Sequence, residues 1–317
     1  MFWQLLSFYE YEIDLAPNAA FLAIFSVSLL GFFGVWIATR RGTAFNVAMI
    51  LGLICEILGY VGRILSWQNP TYENGFLMQI CCLTIGPAFM AAGLYLCLRR
   101  IVSAFGPENS RISPEYYTRI FIPCDLISLI LQAVGGGMAS TAARMGQSAA
   151  TGTDIMIAGL VFQVITIIGF IACSIDFAIR TMRRKCELGD AAFDQRLEVS
   201  KVRNSPRFKA FLGALSLSTF CILWRSVFRV AELSRGWRGP IMANQYMFVG
   251  FEGILIVVAV AVLNVFHPAL CMKELLELND GGLKGLWGFR SRASMANESE
   301  NSAEYDGKTP TTEAIAV

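Results

Sequence analysis

Seven runs of about twenty or more mostly apolar residues divide this chain, and they constrain its architecture more than any other feature. They cover approximately residues 18–38, 44–66, 75–98, 120–142, 154–179, 208–230 and 246–272. A helix rises about 1.5 Å per residue, so about 20 apolar residues cross a hydrocarbon core about 30 Å thick. The runs are continuous and lack the apolar-polar alternation of membrane-barrel strands, which leaves helices as the spanning element. With 55% apolar and only 16% charged residues in 317, a water-soluble fold would leave too much apolar surface uncovered. The reading is an all-α polytopic membrane protein, a seven-transmembrane-helix bundle.

Basic residues orient the bundle. Arg40 and Arg41 follow the first run, and Arg99, Arg100, Arg111 and Arg119 lie between the third and fourth. Arg180, Arg183, Arg184, Lys185, Arg196, Lys201, Arg203, Arg207 and Lys209 lie between the fifth and sixth, and Lys273, Lys284, Arg290, Arg292 and Lys308 follow the seventh. The opposite side holds only Arg144, Arg235 and Arg238. Short loops rich in Lys and Arg stay cytosolic, which predicts the N-terminus outside and the C-terminus in the cytosol. Residues 1–17 then form an extracellular N-terminus, 18–272 the transmembrane domain and 273–317 a polar, disordered cytosolic tail. Met1 to Ala16 carries Glu10, Glu12 and Asp14 and no basic residue, so it lacks the basic start of a cleaved signal peptide and the first run is expected to be retained. Most of the nine cysteines fall inside apolar runs and read as small buried hydrophobes.

Charges inside the runs carry the functional information, because each costs about 2.5–3.5 kcal/mol at mid-membrane on insertion scales. Glu56 and Arg63 are seven residues apart on one face of the second run; Arg225, Arg229 and Glu232 share a face of the sixth; Glu252 lies in the outer third of the seventh. Helical rise puts Glu56 near mid-depth and the others in the outer half, so three cations and three anions meet at comparable depth. Two compatible roles stay open: interhelical ion pairs that fix packing, and the lining of a cavity for an ionic head group. A more neutral set comes from the middle helices, where Asp125, Ser128 and Gln132 share one face and Gln163 follows Gly159 by one turn. Gly135-Gly136-Gly137 permits close backbone approach or a break, and Pro87 after Gly86 removes a helical hydrogen bond.

Other chemistries lack their residues. There is no phosphate loop, no G-x-S-x-G elbow and no H-E-x-x-H pair, and the six lysines lie outside the runs apart from Lys209 at the very edge of the sixth, so a retinal Schiff base in the last helix is excluded. The single histidine, His267, has no second ligand at metal spacing; it is expected to bond a neighbouring helix or to mark the end of the last run before Pro268. No metal, cofactor or catalytic constellation is read, and a formal net charge of +2 points to no nucleic-acid partner.

Taken in order, the polar positions resemble those of the fungal RTA-like family of lipid-translocating exporters. The resemblance rests on Tyr9-x-Tyr11 with Leu15-Ala16-x-Asn18, Glu56-x-x-Gly59-Tyr60-x-x-Arg63, and Pro87-Ala88-Phe89 with Ala92 and Tyr95. It continues through Asp125, Ser128, Gln132 and Gly135-Gly136-Gly137, then Gly159-Leu160-x-x-Gln163, Arg225-x-x-x-Arg229-x-x-Glu232, Phe251-Glu252 and Asn264-Val265-Phe266-His267-Pro268. The chain departs from the family pattern at Ile13-Asp14, where Pro-Ser is usual, and at Gln245, where an acidic residue is common.

The resemblance implies a plasma-membrane exporter, not an enzyme, that translocates lipid-like amphiphiles such as sphingoid bases or sterol amines and confers resistance to toxic ones. Its partners are the amphipathic substrate and membrane lipids. Candidate substrate-binding residues are Glu56, Arg63, Asp125, Gln132, Gln163, Arg225, Arg229, Glu232 and Glu252, with movement either down a gradient or by proton coupling through Glu56, Glu252 or Asp125. The alternative is a seven-helix sensor signalling through its basic internal loop and tail.

Overall fold

A computed structural model of the protein describes residues 13–106, 110–188, 202–203, 205–236, 239 and 244–273. Tyr9 and Tyr11, Arg196, Lys201 and Arg238, residues 189–201 of the basic loop, and the tail from residue 274 lie outside the described residues.

Among the described residues, seven segments are long and apolar enough to cross a membrane. They are α1 (Leu15–Thr39), α2 (Thr43–Gln68), α3 (Glu73–Phe105), α4 (Pro114–Arg144), α5 (Ala150–Leu188), α6 (Pro206–Ser234) and a composite seventh. The seventh runs from α7 (Gln245–Phe248) through a π-helical turn (Val249–Ile254) into α8 (Leu255–Val265), and after a break at His267 into α9 (Pro268–Cys271). Among the described residues there is no strand. The first six apolar runs each lie within one helix, and every one of those helices continues past its run into polar sequence. At 1.5 Å per residue the 39 residues of α5 extend about 58 Å, further than a bilayer with its head groups, so its basic end projects beyond the membrane.

The α1–α2 connection shows how the chain reverses. Arg40 takes the left-handed conformation (φ 51) and donates its N–H to the Trp36 carbonyl, and Gly42 (φ 64) then starts α2. Two consecutive helices thereby return antiparallel across three residues. Each helix packs on its neighbours in sequence, and α8 returns to α1, closing a ring in which α3 also touches α5 and α6.

Burial is inverted relative to a water-soluble protein. Val27 and Leu30 are 69% and 71% exposed, whereas Glu56, Arg63 and Glu252 are 0% exposed. Lipid tails are as apolar as a protein core, so apolar side chains gain little from turning inward, while charges must find protein partners. Tight helix contacts come from glycine. A side chain at Gly62 would meet the Gly75 carbonyl at 2.7 Å, and one at Gly135 would meet the Met156 backbone nitrogen at 2.4 Å. Gly152 faces Gly135 and Ala139 from the other side of the α4–α5 contact. The glycine triplet in α4 therefore serves close approach at Gly135, and the helix does not break there. Among the cysteines only Cys97 and Cys221 are buried; Cys81 and Cys186 are exposed and the other five are intermediate. The expectation that the cysteines of the apolar runs are buried holds only for Cys97 and Cys221, because an apolar thiol tolerates a lipid-facing position.

Substituting Gly135 or Gly152 by Leu is expected to destabilise the bundle by about 1–3 kcal/mol or more, because backbone atoms occupy the space. Gly137→Ala, which meets nothing within 4 Å, should leave stability unchanged. Thermal unfolding in lipid nanodiscs distinguishes the two; equal effects at Gly135 and Gly137 would contradict the packing described.

Candidate functional site

Pro87 sits inside α3 and has no N–H, so the carbonyl of Leu83 one turn earlier has no helical donor. Arg225 of α6 fills that vacancy: its Nη2 donates to the Leu83 oxygen and, 2.5 Å away, to Oε1 of Glu252. One nitrogen thus ties α3, α6 and the seventh segment together. The helix passes through Pro87 uninterrupted, so the expected loosening appears as a liberated acceptor.

Arg229, one turn further along α6, donates through Nη1 to Oε2 of Glu232 at 2.7 Å and through Nη2 to the Thr84 hydroxyl at 3.4 Å. Its Nε lies 3.9 Å from Glu252 Oε1, so the two arginines share one carboxylate. Glu252 occurs within the π-helical turn, next to Gly253, where a side chain would overlap the Phe21 ring. Such turns insert an extra residue and re-aim side chains, often where function needs them.

On α2, Arg63 donates through Nε to Asn18 Oδ1 at 2.7 Å, and its guanidinium carbon lies 3.9 Å from the centre of the Phe248 ring. Glu56 differs from every other charge here. It is fully buried, and neither carboxylate oxygen has a hydrogen-bond partner. The Tyr60 hydroxyl, one turn away, is likewise buried without one. Oε1 of Glu56 lies over Gly86, where a side chain would approach it to 2.9 Å. Its charged neighbours are Arg225, Glu252 and Arg229.

The remaining candidates form a second set. The Tyr95 hydroxyl donates to Asp125 Oδ2 at 2.9 Å, and the Ser128 hydroxyl donates to the Asp125 backbone carbonyl at 2.7 Å. Gln132 Nε2 donates to Gln163 Oε1 at 3.1 Å, with Gly159 fitting against Gln132. Among the described residues, no hydrogen bond or ion pair joins this set to the charged one. The nine candidates therefore divide into a charged layer on α2, α6 and the seventh segment and a more neutral layer on α4 and α5, with Tyr95 of α3 as a partner.

Several partners escape a reading of charges alone. Thr84 has no signal in the sequence, and the Leu83 carbonyl is found only by counting four residues back from Pro87. Asn18, Tyr60 and Tyr95 are visible as members of ordered motifs, without a role. His267 closes the opposite end: its Nδ1 accepts the Ala269 N–H at 3.1 Å, which leaves Nε2 to donate to Asn46 Oδ1 at 2.9 Å. It both caps α9 and bonds a neighbouring helix, with Phe32 and Phe45 packed around the ring. Among the described residues no group of three His, Cys, Asp or Glu is placed to hold a metal ion. The two departures from the family pattern meet in space: Gln245 Nε2 donates to Asp14 Oδ2 at 3.1 Å, and the Asp14 N–H donates to Gln245 Oε1 at 3.3 Å. At this contact the acid is supplied from the start of α1.

The family model described as RTA1 like protein matches residues 49–275. The chain is 32% identical over 249 residues to the sphingoid long-chain base transporter RSB1 of Saccharomyces cerevisiae (strain Lalvin EC1118), covering 72% of this chain and 65% of that protein. It thus spans less than two thirds of the length of that relative. It is 31% identical to protoporphyrin uptake protein 1 of Saccharomyces cerevisiae, covering 69% and 68% of the two chains. Protein RTA1 of the same organism is 26% identical, covering 82% of this chain and 86% of its own length. No solved structure matches.

Removing Arg225 leaves the buried Glu252 with only the more distant Arg229 and the Leu83 carbonyl without a donor, so Arg225→Ala is expected to cost about 3–5 kcal/mol of stability. The double substitution Arg225→Leu with Glu252→Leu should recover most of that loss. Unfolding temperatures of the wild type, both single variants and the double variant provide the cycle, and additive effects would show that the pair is not coupled.

Proposed function

Since the chain belongs to the RTA1-like protein family, we propose that it is a membrane transporter of lipid-like amphipathic molecules and not an enzyme. The observation that carries the reading is the charged layer itself. Arg225, Arg229, Glu232, Glu252 and Glu56 are all buried at the junction of α2, α6 and the seventh segment, and several of their polar atoms remain unpaired. A bundle whose charges served packing alone would gain by satisfying them all or replacing them with apolar residues. In this reading the charged layer receives the head group while the acyl or ring portion stays in apolar surroundings. The names of the relatives, which refer to a sphingoid long-chain base and to protoporphyrin, favour a substrate that joins an ionic group to a large apolar body.

Sphingoid bases and sterol amines are the substrates we propose, exported across the plasma membrane so that toxic amphiphiles are resisted. The neutral layer of Asp125, Gln132 and Gln163 offers hydrogen bonds further along the bundle. The N-terminus, residues 1–17, lies outside; residues 18–272 span the membrane; the tail, 273–317, lies in the cytosol.

Purified protein reconstituted in liposomes with labelled sphingoid bases, sterol amines and phospholipids is expected to speed transbilayer movement of at least one of them. Arg229→Ala should reduce the rate by about tenfold or more, in line with loss of a charged contact. If no amphiphile moves faster than in empty liposomes, the transporter reading fails and the sensor reading takes its place. Orientation has its own check: a tag after Val317 should be accessible to antibody only in permeabilised cells, and staining of intact cells would reverse the topology.

A further inference from the structure

Among the described residues four carboxylates are buried, and their surroundings differ. Asp125 receives the Tyr95 hydroxyl on Oδ2. Glu252 receives Arg225 at 2.5 Å, with Arg229 also nearby. Glu56, fully buried, receives nothing on either oxygen. Glu232, the remaining acid of the charged layer, is held by Arg229 at 2.7 Å. An isolated carboxylate away from water is costly, and two processes relieve it: gaining a proton, or capturing a guanidinium.

The groups facing Glu56 are Tyr60 and Cys55 on its own helix, Cys82 on α3, Arg225 and Arg229 on α6, and Glu252 on the seventh segment. Arg225 already touches α3 at the Leu83 carbonyl, three residues before Gly86, over which Glu56 lies. The Arg225 Nε has no acceptor, so the side chain still has a donor to offer. Gly86 leaves open the space that a side chain would fill beside Oε1.

We propose that Glu56 is a proton-binding site whose loading decides which carboxylate holds Arg225, coupling movement of the amphiphile to a proton gradient. With the proton on a Glu56 oxygen, the acid is neutral and Arg225 stays with Glu252 and the Leu83 carbonyl. When the proton leaves to water, the Glu56 carboxylate competes for Arg225. Glu252 then retains only Arg229, and the π-helical turn that carries it loses its link through Arg225 to the Leu83 carbonyl, keeping the one to α3 through Arg229 and Thr84. No bond other than O–H is made or broken, and the proton is returned from water on the side to which the site next opens. The coupling rests on the transporter reading; the proton site does not.

The site is tested first without transport. Infrared difference spectra of the full chain in nanodiscs, taken across a pH series, should show the carbonyl stretch of a protonated carboxylic acid that disappears on deprotonation. Glu56→Gln should remove that band, and Glu56→Asp, which keeps an acid but shortens it, should shift its titration. A band unchanged in both variants overturns the proposal, and if Glu56→Gln does not fold, the Glu56→Asp titration decides alone.

Coupling is tested in liposomes with a fluorescently tagged long-chain amine and the same chain ending in an alcohol. An imposed pH gradient should accelerate both about tenfold in the wild type, a change of about 1.4 kcal/mol. Glu56→Gln should abolish that acceleration for both. If Glu56→Gln slows the amine alone and the pH response survives, Glu56 is a contact for the ammonium head and the proton proposal is wrong. If neither probe moves in the wild type while the Glu56 band is present, the transporter reading fails and the proton site stands.

Discussion

A single guanidinium organises this bundle. Arg225 bonds a backbone carbonyl that Pro87 has left without a donor, and the same nitrogen pairs with Glu252. In water such a contact would compete with solvent at every moment. Between apolar helices it has no substitute, so the position of α6 relative to α3 and the seventh segment follows from where Arg225 finds its acceptors. Arg229 and Glu232 repeat the arrangement one turn away, and Thr84 extends it to α3.

Around this polar layer the helices meet through absence of side chains. Gly62 against Gly75 and Gly135 against Gly152 bring backbones together where no apolar driving force exists between helices in lipid. The closed ring follows: each helix leans on its sequence neighbour, and α8 completes the circuit against α1. Asn264 donates to the Ser28 carbonyl at 3.0 Å and Gln245 bonds Asp14, so the final contact of the ring is fastened by polar groups at two levels.

Much of this was legible in the order of residues because a bilayer imposes simple rules. Length and hydropathy identify the spans, and a charge within a span announces that a partner exists. The Arg225, Arg229 and Glu232 spacing placed three groups on one face, and the seventh run does supply their neighbouring anion in Glu252. Which cation meets which anion was not legible, since that depends on helix rotation. Arg63 shows the difficulty: its Nε bonds the neutral Asn18 and its guanidinium lies over Phe248. The π-helical turn was also invisible, because an i to i+5 register carries no periodic signature over six residues. Asp125, Gln132 and Gln163 read as a second, more neutral set on the middle helices, and α4 and α5 do hold them apart from the charged layer.

The ring closes with its last member, and that has a consequence for how the protein is made. Helices emerge from the ribosome in order, so α2 enters the bilayer carrying Glu56 and Arg63 long before the seventh segment is synthesised. When α6 follows, the Leu83 carbonyl is already present to receive Arg225, but its anion Glu252 is 27 residues further on. Until those residues arrive, the charges of α2 and α6 need shelter from lipid within the insertion machinery or beside one another. A chain interrupted after α6 therefore holds Arg225 and Arg229 without the Glu252 carboxylate they share, and the charged layer is complete only once the seventh segment is in place.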